Sequence, residues 1–201
     1  MTMFLATPPR QAERNQIRVA TAAASSAVLM LMFGMLATWL KFRDASPLRA
    51  STRGAKMLRD WLPADIKIPE VATNTMLATL VIACVIAQWA AYASRRDDSA
   101  HTSLALAIVA MLGVAAINAQ VAIYLQMQLV LRDGAYQTMF YAVTGSMLAL
   151  LASGVVYSVV ALFRSFAGRT SDHHVVSAHA MYWYVLTAAF TAMWFIVYVQ
   201  K

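Results

Sequence analysis

The sequence predicts an all-α integral membrane bundle of five transmembrane helices. Of its 201 residues, 61% are hydrophobic and only 12% are charged, whereas a typical soluble domain is about 45–50% apolar and about 25% charged. Five stretches of at least 22 residues contain no Lys, Arg, Asp or Glu. A bilayer core about 30 Å thick takes about 20 apolar residues of helix to cross. Because unsatisfied backbone groups are costly in lipid, spans of this length should be helical.

The predicted spans follow a basic tail, residues 1–18, and belong to one transmembrane domain, residues 19–201. Span one ends at the interfacial aromatic Trp39, and a long polar loop, residues 41–70, follows it. The later connections are short, so consecutive helices from span two onward should be antiparallel neighbours. The five spans run over residues 19–40, 71–94, 102–131, 134–163 and 175–200.

The long loop carries seven basic residues against four acidic ones and closes with Trp61, Pro63 and Pro69. The residue before a proline favours extended backbone, and tryptophan favours the membrane interface. We therefore expect the end of this loop to lie extended along the membrane surface. The stretch Ser51–Trp61 also allows a short amphipathic helix.

The charge of the chain is strongly positive, with a net charge of +7 and a pI near 9.9. The basic residues lie in tails and loops, where they meet anionic headgroups or set topology, so no nucleic-acid partner is expected. One membrane face would hold seven of them and the other nine. The positive-inside rule therefore does not orient the chain.

Three histidines near the last span are the candidates for chemistry: His173, His174 and His179. On a helix, His179 would lie about 140° from His174 rather than on the same face. Asp172 is the nearest carboxylate. We interpret the three as loop histidines, with a metal site at His173 and His174, or a pH-sensing role, as the alternatives.

The remaining polar and sulfur-containing residues of the spans are interpreted as packing residues. Cys84 should act as a small apolar side chain, and the thirteen methionines are scattered rather than clustered. Amides inside the spans predict hydrogen bonds between helices, with a ligand or lipid contact as the alternative. Gly145, Ala149 and Ser153 repeat at four-residue spacing, which would let another helix approach closely. No catalytic motif and no phosphate-binding loop is recognisable.

From residue 61 onward, an ordered set of short motifs resembles subunit III of the heme-copper oxidases. Trp61-Leu-Pro63 resembles the family's proline-rich loop, and Asn74-Thr75 resembles the "NT" pair with which its next helix begins. Three later family motifs, LG…Q..EY, FF..TG.HG.HV..G and YWHFVD, also follow in order. Their matches are Gly113 with Gln120 and Tyr124, Thr144-Gly145 with Gly154, and Tyr182-Trp183.

The resemblance implies an architecture and a role. Subunit III of this family carries no heme or copper, packs beside the catalytic subunit that holds them, and binds phospholipid between its helices. Five spans rather than seven resemble the short bacterial forms, including those linked to nitric oxide reductase. The implied location is the bacterial cytoplasmic membrane, with the N-terminus in the cytoplasm.

The chain departs from the family where ionisable side chains are expected. The family glutamate after Gln120 is replaced by an apolar residue, the family histidines and aspartate of the last two helices are also missing, and span one lacks the expected glutamate. The residues that stand there are Ile123, Met147, Leu150, Tyr184, Thr187 and, in span one, Ser26, Ala27 and Val28. These replacements suggest a scaffold that is kept while carboxylate chemistry is lost.

The favoured interpretation is therefore a non-catalytic accessory subunit of a respiratory heme-copper oxidase complex. The alternative is a structural or assembly subunit of another membrane complex, such as nitric oxide reductase or a copper-dependent membrane oxygenase. A small transporter is a further hypothesis, but it predicts inverted repeats and broken helices near mid-membrane, which this sequence does not show.

Overall fold

The computed structural model describes residues 10–50, 57–59, 61–62, 66–131, 134–167 and 173–200. Five long helices confirm the predicted all-α membrane bundle, and each is long and apolar enough to cross a bilayer. The helices are α1 (Arg10–Ala45), α2 (Glu70–Arg95), α3 (Ser99–Met127), α4 (Ala135–Phe166) and α5 (His173–Met193).

Helix α1 begins at Arg10, so it includes part of the predicted basic tail. The polar segment before the span contains Gln, Ala, Glu and Arg, which are good helix formers, so the helix continues beyond the apolar stretch. Residues 1–9 lie outside the described part of the chain. The apolar part of α1, Val19–Ala45, is the candidate span.

The long loop contains a short antiparallel strand pair, β1 (Leu48–Ala50) and β2 (Met57–Arg59). The amphipathic helix allowed for Ser51–Trp61 is therefore wrong over Met57–Arg59, and residues 51–56 and 60 lie outside the described part of the chain. Backbone pairing satisfies the polar groups of these residues without an apolar helical face, which this basic segment lacks. Pro69 follows in extended conformation and precedes the first turn of α2.

The helices form a ring in which α4 and α5 each contact three other helices. Helix α2 packs on α3 and α5, α3 packs on α4, and α1 closes the ring against α4 and α5, while α4 also meets α5. Half of the apolar window of α5 is buried inside the chain, whereas only 17% of that of α1 is buried. Helix α1 therefore presents most of its surface outward.

Helix ends are defined by local hydrogen bonds. Asp98 caps α3 by accepting the backbone N–H of His101 at 3.0 Å. Gln128 ends α3 in the left-handed region, with φ of 45°, and donates its N–H to the Tyr124 carbonyl. The last turns of α5 continue as a π-helix, Trp194–Val199, and Arg43 of α1 donates to the Gln200 carbonyl at 3.0 Å.

Two ends of the bundle follow from this topology. We call the end that contains the 41–70 segment, the start of α2 and the end of α5 the long-loop end. The opposite end contains the start of α1, the α2–α3 turn and the start of α5, and we call it the N-terminal end.

Candidate functional site

An aromatic cluster at the long-loop end contains the predicted motif residue Trp61. Its ring lies edge-on to Trp39 at 5.1 Å and to Tyr136 at 5.6 Å, and Tyr136 stacks on Phe140 at 6.0 Å. All four side chains are buried. The cluster attaches the loop to α1 and α4. Pro63, the second motif residue of the loop, lies outside the described residues.

The Asn74-Thr75 pair lies in the second turn of α2, and its two members do different things. Asn74 Oδ1 accepts a hydrogen bond from Trp194 Nε1 at 3.0 Å, which links α2 to the π-helical end of α5. Thr75 is exposed, and its carbonyl accepts the hydroxyl of Thr79 at 2.8 Å. Of this pair, only Asn74 makes a side-chain hydrogen bond to another helix within the described residues.

Gln120 and Tyr124 of α3 make interhelical contacts, as the amide-rich spans predict. The buried Gln120 side chain lies 3.5 Å from the hydroxyl of Tyr198 in α5. The Tyr124 hydroxyl donates to Thr144 Oγ1 at 2.8 Å, and Thr144 donates in turn to the Phe140 carbonyl at 2.6 Å. These contacts fasten α3 to α5 and to α4.

Two of the three motif glycines are sites of close helix contact. A Cβ added at Gly113 would lie 2.6 Å from Val155 and 2.8 Å from the Trp183 ring, and one at Gly154 would lie 2.9 Å from Leu186. At Gly145 no atom lies within 4 Å of such a Cβ. The predicted close approach at Gly145 is therefore not made by the described part of this chain.

Tyr182 and Trp183 of α5 are both buried against α4. The Tyr182 hydroxyl lies 2.6 Å from Ser153 Oγ, so the predicted small-residue stripe does meet α5 at its Ser153 end. Trp183 Nε1 donates to Ser158 Oγ at 3.1 Å and to His179 Nε2 at 2.9 Å. The motif pair thus supplies polar links as well as ring surface.

His179 is fully buried inside α5, so its interpretation as a loop histidine is wrong. Its Nε2 lies 2.7 Å from Ser158 Oγ, and its ring is edge-on to Tyr157 at 5.3 Å. His179 lies in the apolar fifth span, although its closeness in sequence to His173 and His174 suggests a loop position. The informative signal was the spacing of His179 and Trp183, four residues apart on one helix face.

His173 and His174 form the first turn of α5 at the N-terminal end, so their interpretation as loop histidines is also wrong. His173 Nδ1 lies 3.2 Å from Ser94 Oγ, and its Nε2 lies 3.4 Å from an Asp97 carboxylate oxygen. No group of three or more His, Cys, Asp or Glu side chains gathers among the residues that the structure describes. The metal alternative at His173 and His174 therefore remains an untested prediction.

Four of the positions at which the chain departs from the family are packed or hydrogen-bonded. Ile123 and Met147 are buried among apolar side chains. Tyr184 donates to Gln88 Oε1 at 3.2 Å. Thr187 lies 3.0 Å from Cys84 Sγ, so Cys84 is buried as predicted and also makes a polar contact between α2 and α5.

Five membrane-length helices, joined by hydrogen bonds between helices, define a multi-pass α-helical membrane protein. The family model of cytochrome c oxidase subunit III matches residues 25–201. The match covers most of the chain, which therefore belongs to the cytochrome c oxidase subunit III family, and the predicted resemblance is confirmed. Membership implies a heme-copper oxidase catalytic subunit as the partner. No curated protein gives a significant match.

Proposed function

We propose that the chain is a non-catalytic accessory subunit that packs beside the catalytic subunit of a heme-copper oxidase complex and binds phospholipid. The heme and copper of the complex would belong to the catalytic subunit. The observation that carries this proposal is the family match over residues 25–201, together with the use of the motif residues as packing and hydrogen-bonding groups between helices.

A scaffold role is supported by what the motif side chains do. Gln120, Tyr124 and Asn74 each link two helices, and Gly113 lets the Trp183 ring approach α3. Interhelical hydrogen bonds in membranes stabilise by about 0.6–2 kcal/mol each. A set of such contacts holds the bundle in one shape, which a subunit needs if it is to present a constant surface to its partner.

We also propose that the protein lies in a bacterial cytoplasmic membrane with its N-terminus in the cytoplasm. With five spans, this orientation places the long-loop end outside. The exposed α1 supports contact with another membrane subunit, because only 17% of its apolar window is covered by this chain.

The test is purification from native membranes in mild detergent through a C-terminal tag, with an untagged strain as the control. Heme absorbance should co-elute with the tagged chain, and mass spectrometry should identify a large multi-span catalytic subunit. A heme-free eluate that contains other membrane proteins would refute the oxidase assignment and direct attention to those partners. Phospholipid content of the same eluate tests the lipid part separately.

A further inference from the structure

An asparagine in the third span points away from the bundle. Asn118 of α3 is exposed, and its side chain has no hydrogen-bond partner among the residues that the structure describes. Val109 and Met127, nine positions before and after it, are both buried. Nine residues are two and a half helical turns. Asn118 therefore lies on the side of α3 opposite to its buried face.

The depth of Asn118 places it in the hydrocarbon region of a bilayer. Helix α3 runs from Ser99 to Met127, so its midpoint is Gly113, and Asn118 lies about 7.5 Å beyond it along the helix axis. The hydrocarbon core extends about 15 Å to either side of the midplane. The side chain of asparagine is also too short to reach the interface in the way that lysine and arginine do.

A carboxamide at this depth requires a hydrogen-bond partner. Burying an amide in an apolar medium without one is costly, and amides inside membrane spans usually bond across helices. Within this chain, Asn74 is bonded in this way to Trp194, and Gln120 to Tyr198. Asn118 has no such contact in the described part of the chain, so its partner should come from another polypeptide.

The residues around Asn118 form a surface on which another helix can pack. Met111, Ala115, Asn118, Ala122 and Leu125 follow each other at alternating spacings of four and three residues, so they share one face of α3. Met111 is 64% exposed and Leu125 is 71% exposed. The two alanines next to Asn118 allow the close approach that an amide hydrogen bond between helices needs.

We propose that this face of α3 pairs with the same face of a second copy of the chain, and that the two Asn118 side chains are hydrogen-bonded to each other. A carboxamide has both a donor and an acceptor, so it is complementary to itself. Two copies in one membrane share their orientation, and a two-fold axis along the membrane normal therefore brings both Asn118 residues to the same depth.

Symmetry favours a second copy over a different membrane protein. A helix of another protein would need a polar group at the same depth and on the matching face, whereas a second copy supplies one automatically. Dimers with two-fold symmetry are also the commonest oligomers. The pairing goes beyond the proposed accessory role and does not depend on association with an oxidase.

Disulfide cross-linking in native membranes tests the contact directly. Ala115→Cys and Ala122→Cys should each form a dimer of this chain on mild oxidation, because the two-fold axis brings equivalent positions together. Val85→Cys is the matched control, since Val85 is 63% exposed on α2, away from the proposed contact. It should give no dimer above the wild-type background, which is low because Cys84 is buried.

Three results of the cross-linking would overturn the proposal. These are the absence of a dimer band at positions 115 and 122, equal cross-linking at position 85, and cross-links from 115 and 122 only to a different protein. Mass spectrometry of the cross-linked band, from cells that carry two differently tagged copies, identifies the partner chain.

A substitution measures the contribution of the amide. In the protein as isolated in mild detergent, with any bound subunits, Asn118→Leu should raise the dissociation constant of the dimer by about tenfold. Gln88→Leu is the matched control, because Gln88 is an exposed amide of α2 that already accepts a hydrogen bond from Tyr184. It should leave the constant within about twofold. Equal dissociation constants for wild type and N118L, at unchanged melting temperature, would contradict the pairing.

Discussion

His179 is a buried polar residue whose Nε2 atom lies within hydrogen-bond distance of both Trp183 and Ser158. The Trp183 indole N–H donates to His179 Nε2 at 2.9 Å. Because an indole N–H can only donate, Nε2 is the acceptor in this contact, and Nδ1 is buried without a hydrogen-bond partner among the described residues. A proton on Nε2 would place two donors against each other. His179 therefore serves as a hydrogen-bond acceptor that joins neighbouring turns of α5 to Ser158 of α4.

Replacing Ser158 with alanine should destabilise the bundle. The change removes the hydroxyl that lies 2.7 Å from His179 Nε2 and accepts the Trp183 N–H, so the free energy of unfolding should fall by about 1 kcal/mol. Ser146→Ala is the matched control, since the one hydrogen bond of the Ser146 hydroxyl within the described residues goes to the Ala142 carbonyl of its own helix. Denaturant titration in detergent measures both. Equal losses in the two variants would contradict the interhelical role of Ser158.

Glycines of the same motif set should respond in opposite ways to an added methyl group. At Gly113 the Cβ would lie 2.8 Å from the buried Trp183 ring, which cannot move away easily, so Gly113→Ala should cost about 1–3 kcal/mol of stability. At Gly145 there is open space, and alanine is the better helix former, so Gly145→Ala should be neutral or stabilising. Thermal unfolding of the isolated chain compares them, and a larger loss for G145A would refute this packing.

At the scale of elements, short polar caps and turns determine where the helices end. Asp98 caps α3, and the α2–α3 turn places Asp97 at a positive φ of 58° next to His173 of α5. The backbone N–H of His101 and then its side chain lower the pKa of the Asp98 carboxyl below its usual value. The ionised form of Asp98 is therefore the one that favours the folded helix.

Acidification should weaken the α3 cap. Because the folded-state pKa of Asp98 is lowered, its contribution is complete above the unfolded pKa of about 3.9 and is lost as pH falls through the folded pKa. Asp98→Ala should melt at a lower temperature than wild type at pH 6, and the gap should close toward pH 3. Asp98→Asn should retain most of the cap at pH 6, because asparagine is also a good N-cap residue. A gap that is independent of pH would contradict this account.

The packing of whole helices follows the distribution of small residues and aromatic rings. Buried alanines line both α2 and α3, which pack on each other, whereas the end of α5 contributes the larger rings of Trp194 and Tyr198. The π-helical turns at that end position these two rings beside α2. A cavity at the long-loop end is lined by these two rings and by the first turns of α2.

For the whole molecule, the proposed orientation predicts the accessibility of the long loop. A cysteine introduced by Lys56→Cys should react with a membrane-impermeant maleimide added to the periplasmic side of spheroplasts and not from the cytoplasmic side of inverted vesicles. The native thiol causes little background, since Cys84 is buried between α2 and α5. A cysteine introduced at position 96, in the α2–α3 turn, should show the opposite labelling. Labelling of position 56 from the cytoplasmic side would refute the orientation.

The class of fold, the five spans and the family could all be predicted from the amino-acid sequence. Apolar length alone dictates a membrane helix, because lipid offers the backbone no other hydrogen-bond partner. The ordered motifs from Trp61 to Trp183 likewise identified the subunit III family, which the match to residues 25–201 confirmed. The replacement of family carboxylates by Ile123 and Thr187 was also readable from the residues alone.

The hydrogen-bond partners of the buried polar residues could be identified only from the tertiary structure. The sequence does not show that Ser158 of α4 lies within 3.1 Å of His179 and Trp183 of α5. Distances between side chains on different helices depend on how the helices rotate and cross. The strand pair in the long loop and the π-helical end of α5 were likewise absent from the sequence prediction. The strand pair joins residues 7 to 11 positions apart, and the π-helix joins residues five apart. Neither has the apolar period of an α-helix or a long strand, which is the signal on which the sequence prediction depends.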